Sequence, residues 1–335
     1  MADRTGGTRS VRPVAGRSCP VSYRYGARSL AVPAQLEVET LWVAGGLYGN
    51  PEALDRLLAL YEEEPGAKAL VFNGDFHWFD VARDDFVRIN TEVMRHSATR
   101  GNVETELALP DAGAGCGCAY PDWVGDAEVA RSNRMIERLR ITAQSAPEAL
   151  GLLGKLPMHL VAEVAGERVA VVHGDADALA GWGFSQERLA SPEGLAAARE
   201  AFDAAGVRVF ASSHTCLPVL QGFDGSGADV DDTRVLVNNG AAGMPNFAGK
   251  CFGLATRISA RSRAAALHGM RAGRLHVEAV PVDYDDRAWR RRFLASWPAG
   301  SDAHVSYFRR IVEGPRYAPA AALRAAAGAT DRRAA

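Results

Sequence analysis

No apolar run in this 335-residue chain approaches the roughly 18 residues of a membrane span, so none of its segments reads as a transmembrane helix. The opening stretch, MADRTGGTRSVRP, has none of the apolar core of a secretory leader. Charge of one sign is not in excess either. With 38 Lys and Arg against 40 Asp and Glu, the formal net charge is -2, and no global field draws the chain to nucleic acid or to an anionic membrane. Cysteine is scarce, and its count of 5 is odd, at irregular spacing. That does not make a disulfide framework. A reducing cytoplasm fits these counts, with the cysteines as free thiols or ligands.

What is present is a large apolar fraction, 47%, enough for a sizeable core in one large domain or two small ones. Residues 1–17 are rich in Gly, Arg, Ser and Thr, a composition of disorder. The Ala/Arg-rich tail from Pro319 reads as a frayed helix or as no structure. Between them the pattern alternates. Leu41–Ala44 reads as a buried strand. After it, Asn50 suits an N-cap, Pro51 suits the first helical position, and Leu54, Leu57, Leu58 and Tyr61 form one stripe. Ala69–Phe72 is a further strand, and Asp126 is placed to cap a helix carrying Val129, Ile136 and Leu139. Leu160–Val164 and Val169–Val172 flank a four-residue turn as a hairpin. Ser191 opens another helix, followed by strands at Val207–Ala211 and Val235–Val237. Mixed βα units and hairpins predict an α/β protein with at least one partly antiparallel sheet.

Several of these strands stop at a polar cluster. Ala69–Phe72 runs into Asn73-Gly74-Asp75, Val169–Val172 into His173-Gly174-Asp175, and Val207–Ala211 into Ser212-Ser213-His214-Thr215-Cys216. Ligands of α/β sheets collect beyond the carboxyl ends of strands. A lone strand-end His is commonly a hydrogen-bonded structural residue. One Asp and two His in the same positional role on three strands point instead to a metal site.

Five short motifs occur in one order: Gly46-Leu47-Tyr48-Gly49-Asn50, Gly74-Asp75, Gly101-Asn102-Val103-Glu104, His173-Gly174 and Ser213-His214-Thr215-Cys216. In order and strand context this set resembles the calcineurin-like metallophosphoesterases over about residues 40–250. The resemblance implies an α/β, four-layer αββα sandwich of two mixed β-sheets flanked by helices. It implies a metallophosphoesterase-like domain over 39–285, an N-terminal extension over 1–38, and a C-terminal helical extension and tail over 286–335. Family members hold two metals. By position, the ligands of one are complete here: Asp75, Asn102, His173 and His214. The other site keeps only the bridging Asp75; its remaining positions are Gly46, Tyr48 and Cys216. Val103 stands where the family has a charge-stabilising His.

Asp75 is the single charged ligand of the surviving set, so one divalent ion (Mn, Fe or Zn) leaves the site one unit positive. Such a site still binds phosphate and lowers the pKa of a bound water. It loses the two-metal clamp, and a missing donor at the Val103 position costs ~10²–10³ in rate. Whether a second metal binds is left open. His77, two residues after Asp75, is either a substitute acid or a packing residue among Phe76, Trp78 and Phe79. Tyr48 either offers a phenolic oxygen or fills volume. Cys116, Cys118 and Cys216 either converge as a soft-metal or redox site or are buried core thiols. Cys19 and Cys251 read as structural, with Cys19 alternatively a reactive thiol. In the loop Asn238–Gly243, Asn239 either orients phosphate or belongs to a glycine turn. Trp182 reads as packing rather than as a pocket wall, and Arg287–Arg292 as a solvated helix face.

The expected activity is therefore metal-dependent hydrolysis of a small phosphate mono- or diester. The alternative is a non-hydrolytic relative that uses metal and thiols or only binds a phosphorylated ligand. No membrane or nucleic-acid partner is expected, and the sequence is silent on substrate identity and oligomeric state.

Overall fold

A computed structural model describes residues 14–111, 113–224 and 232–327. Disorder was expected for residues 1–17: residues 1–13 and the end of the Ala/Arg-rich tail lie outside that range, whereas 14–17 are ordered, with Gly16 N donating to Ala114 O at 2.8 Å and Arg17 to Pro121 O at 2.9 Å. Among the described residues the strands are β1 (Leu36–Val38), β2 (Thr40–Ala44), β3 (Lys68–Asn73), β4 (Ser97–Thr99), β5 (His159–Val164), β6 (Glu167–Val172), β7 (Val209–Ser212), β8 (Val219–Phe223), β9 (Arg234–Asn238), β10 (Gly253–Ser259), β11 (His268–Ala272), β12 (Leu275–Val282) and β13 (Leu323–Ala327). They form a seven-stranded sheet, β1-β5-β6-β7-β9-β8-β13, and a six-stranded sheet, β11-β12-β10-β2-β3-β4. Both are mixed. β2, β3 and β4 run parallel, as do β6, β7 and β9, while β5–β6, β8–β9 and β10–β12 are antiparallel.

Period-two alternation sorts the side chains into layers. Leu41, Val43 and Val71 of one sheet meet Val169, Val171, Val209 and Val237 of the other in a dry apolar layer between the sheets. The opposite faces of the same strands take up helices. Trp42, Leu70 and Phe72 pack against Leu54, Leu57, Phe86, Ile136 and Leu139. Ala170, Val172 and Phe210 pack against Ala198, Phe202 and Ala205. Helix, sheet, sheet and helix make four layers, and the expected sandwich is what the chain builds.

The local signals act as read, with small adjustments. The Asn50 side chain accepts a hydrogen bond from Ala53 N at 3.1 Å, and Ser191 from Gly194 N at 3.1 Å, each capping a helix that opens on proline. The helix Asp126–Gln144 is preceded by Gly125 as its N-cap; Asp126 is its first residue and pairs with Arg17 instead. The Arg-rich stretch forms the helix Asp286–Ser296, whose Trp289 and Phe293 are buried while Arg292 pairs with Glu52 and Asp85. Leu323–Ala327, from the Ala/Arg-rich tail, pairs with β8 as an edge strand.

Candidate metal centre

Parallel strands of both sheets end at one place. β3 delivers Asp75, the turn after β4 delivers Asn102, β6 delivers His173 and β7 delivers His214. The backbone at Gly74 has φ +70°, and a Cβ there would meet the Gly101 backbone at 2.5 Å and the His173 ring at 2.6 Å. Only glycine allows that approach. Three of the five non-glycine residues with positive φ among those described, Tyr48, Asp75 and Cys216, lie at this site. Backbone strain collects where function over-determines conformation.

The donors are arranged around a common point. His173 Nδ1 lies 2.9 Å from Asn73 O, and His214 Nε2 lies 3.0 Å from Cys118 O. Each imidazole therefore gives its N–H to a backbone carbonyl, which fixes the tautomer. The other two ring nitrogens, His173 Nε2 and His214 Nδ1, face each other at 3.2 Å. Asn102 Oδ1 is 3.2 Å from His173 Nε2, and Asp75 Oδ2 is 3.4 Å from it. The Asn102 amide is oriented by donation from Nδ2 to Cys116 O at 2.9 Å. Two imidazole nitrogens, an amide oxygen and a carboxylate oxygen thus converge on a point that only a cation, or a proton held between His173 Nε2 and Asp75, satisfies. That donor set fits a divalent transition ion. Among the described residues, Asp75, His173 and His214 are the one group of three or more His, Cys, Asp or Glu able to share an ion, with ligand atoms within 4.8 Å of one another.

The electrostatics carry the same demand for a positive charge. Burial alone would lower the His173 pKa, yet the adjacent Asp75 carboxylate raises it above the usual histidine range. Burial would raise Asp75, and the facing His173 brings it below the usual carboxylate range. His214 is pushed down to about 3, by burial first and by His173 second.

Glu104, unassigned in the sequence reading beyond its motif, holds the loops together. Its fully buried carboxylate accepts from Asp75 N and Gly101 N, each at 2.8 Å, and from His77 N at 3.3 Å. Burial raises its pKa, and the Asp75 charge adds to that. Asp75 is steadied in turn by Val103 N, which donates to Oδ1 at 3.2 Å. The expectation for position 103 was a lost donor; its side chain has none, and its backbone supplies one.

The remaining sequence candidates are placed apart from this point. The Tyr48 ring lies against Gly46, where an added Cβ would meet it at 2.8 Å. Its Oη lies 2.7 Å from Cys216 Sγ. Burial raises both the Tyr48 and the Cys216 pKa, so phenol and thiol keep their protons. The carbonyls of Cys116 and Cys118 orient Asn102 and His214, and Cys118 Sγ also accepts from Asn102 Nδ2 at 3.5 Å. Burial also pushes the Cys118 thiol up. The three sulfurs form no ligand cluster among the described residues. His77 is fully buried, stacked on Phe86 with ring centroids 4.0 Å apart, and its Nδ1 is 2.6 Å from Asp80. It is not brought to the donors. The Asn239 amide is spent on Gly45 O and Leu254 O, at 3.0 and 2.9 Å, tying the loop to the end of β2. Cys19 and Cys251 lie elsewhere: Cys251 Sγ accepts from Arg290, and burial raises the Cys19 thiol.

A cleft of about 280 Å³ opens over Asp75, Asn102 and His214. Trp78, Tyr120, Trp182 and Tyr307 wall it, and Arg310 and Glu128 also line it. Trp182, read as packing, is a wall residue: its Nε1 donates to Cys118 O at 3.0 Å, and its ring lies edge-on to His214 at 5.5 Å. Tyr307 and Arg310 come from the C-terminal segment, more than ninety residues beyond His214, with no local signal to announce them.

No family model matches the chain, and no curated protein does. Its fold does match solved structures. A metallophosphoesterase from Sphaerobacter thermophilus aligns with a TM-score of 0.53 at 16% identity, over 83% of this chain and 100% of the other. A hypothetical protein from Pyrococcus horikoshii aligns with a TM-score of 0.55 at 15% identity, over 83% and 99%. At such identity the likeness is one of fold, and it agrees with the resemblance carried by the five motifs.

Proposed function

We propose that this chain, built on the metallophosphoesterase fold, is a metal-dependent hydrolase of small phosphate mono- or diesters working with one resident divalent ion. The observation that carries the reading is the pair of imidazole lone pairs facing each other at 3.2 Å beside the Asp75 carboxylate, an arrangement that only a cation or a shared proton satisfies. Asp75, Asn102, His173 and His214 would hold the ion. When bound, it supplies Lewis acidity, drawing charge from a phosphate oxygen and acidifying water.

The rest falls to the chain itself. Asn73 O and Ser213 Oγ, at 2.9 and 3.2 Å from His173 Nδ1, fix that ring, and Cys118 O fixes His214. Tyr48 Oη and Cys216 Sγ, both protonated, give the cleft neutral polar groups rather than anionic ligands. The aromatic walls exclude water and offer a surface for a planar or apolar ester group. The expected ligand is a small phosphorylated molecule, in keeping with a cleft of about 280 Å³.

A second reading, phosphate-ligand binding without turnover, is favoured by one observation: the apolar side chain at Val103 and the Tyr48–Cys216 pair stand where family members keep catalytic and metal-binding groups. Hydrolysis of aryl phosphate mono- and diesters, assayed with Mn, Fe or Zn, separates the two. The hydrolase reading expects turnover that chelation and His173→Ala both abolish. Protein that carries metal and binds inorganic phosphate yet turns over neither ester with any ion would overturn it.

A further inference from the structure

The short helix Arg309–Glu313 brings Arg310 to the cleft wall. Its Nη2 donates to Cys216 O at 2.6 Å and its Nε to Pro245 O at 3.1 Å. Those two bonds pin the guanidinium plane beside Cys216, at one of the positions where the resemblance places ligands of a second ion. Among the described residues Nη1 has no hydrogen-bond partner, and no carboxylate lies within ion-pair distance of Arg310. The other charged residues lining the cleft are Asp75, at its floor, and Glu128, which is exposed to solvent and makes no ion pair with Arg310. A half-buried, oriented, unpaired guanidinium next to a metal-ligand cluster needs a function, because an anion-free arginine in such a place gains little from folding.

We infer that Arg310 takes the place of the second metal, with its free Nη1 edge binding non-bridging phosphate oxygens of the substrate while the single ion binds another. This rests on the proposed phosphoesterase reading. The charge accounting supports it: one divalent ion against Asp75 leaves one positive unit, and Arg310 restores the second unit that a two-metal site with two ligand carboxylates would carry. A planar guanidinium also matches phosphate geometry through paired N–H donors. The hydrogen-bonded Tyr48–Cys216 pair fills the vacated ligand positions with a phenol and a thiol in place of carboxylate and imidazole.

The test is calorimetric titration of inorganic phosphate into metal-loaded wild type, Arg310→Ala and Arg310→Lys, with metal content measured on each. Arg310→Ala should keep its metal and bind phosphate about 10- to 100-fold more weakly, and Arg310→Lys should retain part of the affinity. In the aryl-phosphate assay, added guanidinium should restore Arg310→Ala but not accelerate wild type, and the loss should be larger for the monoester, with its greater charge, than for the diester. Arg310→Ala that binds phosphate as wild type does, or that loses its metal together with phosphate and is not rescued by guanidinium, overturns the inference. Wild type that binds phosphate in an Arg310-dependent way without hydrolysing either ester sinks only the hydrolase reading. Wild type that hydrolyses with no dependence on Arg310 sinks only this one.

Discussion

Two buried polar clusters sit at opposite ends of the parallel pair β2 and β3, and they are built on opposite principles. Near the start of β2, Arg257 donates to both oxygens of Glu64 at 2.7 and 2.8 Å and to Glu278 at 2.7 Å, while Trp42 Nε1 adds a bond to Glu64 at 3.1 Å. Both carboxylates there have donors, and the Arg257 guanidinium is used up within the protein. Beyond the end of β3, Asp75, Asn102, His173 and His214 turn four ligand atoms toward one another with at most one proton to share between them. A cluster that closes its own account is architecture. One that leaves acceptors converging is a site, because a single shared proton satisfies only part of that arrangement and a cation satisfies all of it.

The contrast predicts opposite outcomes for substitutions at the two ends. The largest effect is expected from Asp75→Asn: loss of the only charged ligand should remove tight metal binding and lower aryl-phosphate turnover by ~10³-fold or more, while the metal-free protein, losing only the Asp75–His173 pair, is destabilised less than it is by Arg257→Ala. Arg257→Ala should do the reverse. It strands two buried carboxylates and should cost about 3–5 kcal/mol of stability, read from denaturant unfolding, with metal stoichiometry unchanged in the folded fraction. If Asp75→Asn were the more destabilising of the two in metal-free protein, the distinction between the clusters would be lost.

A smaller effect sharpens the comparison from the second sphere of the site. Ser213→Ala removes a hydroxyl 3.2 Å from His173 Nδ1 and should weaken metal affinity about 10-fold, the low end for outer-sphere partners, measured by competition with a chelator. The acid limb of stability reports the other cluster. Glu64 is held below the ordinary carboxylate range, first by its hydrogen bonds from Arg257 and against its burial. A depressed folded pKa contributes stability that is full above the unfolded value, roughly pH 4.3, and is lost as pH falls through the folded value. Wild type should therefore lose this stability in acid, and Glu64→Gln should flatten that part of the curve. The smallest effect is expected at Cys216→Ser. Its protonated thiol bonds Tyr48 and the His214 carbonyl, so metal content should match wild type; a changed metal identity would revive a thiolate role.

How much of this could be read from the chain depends on the range of the interactions. Caps at Asn50 and Ser191, the β5–β6 hairpin and the strand-end positions of Asp75, His173 and His214 are set within a few residues, and the sequence pattern shows them. Cys116 and Cys118 drew attention as sulfur, yet apart from one bond from Asn102 to Cys118 Sγ the fold uses their carbonyls, which no residue type reveals. His77 carries the right chemistry two residues from Asp75, but the turn directs it into the core against Phe86. Trp182, Tyr307 and Arg310 reach the cleft, and Arg257 reaches Glu64, across spans of up to 193 residues, where periodicity and spacing carry no information.

Metal analysis of protein purified without added metal, on wild type and His173→Ala side by side, decides whether Asp75, Asn102, His173 and His214 share one ion. The account predicts about one divalent transition ion per chain in wild type and none retained by the variant. Two tightly held ions in wild type, or one ion that survives the loss of His173, would contradict it.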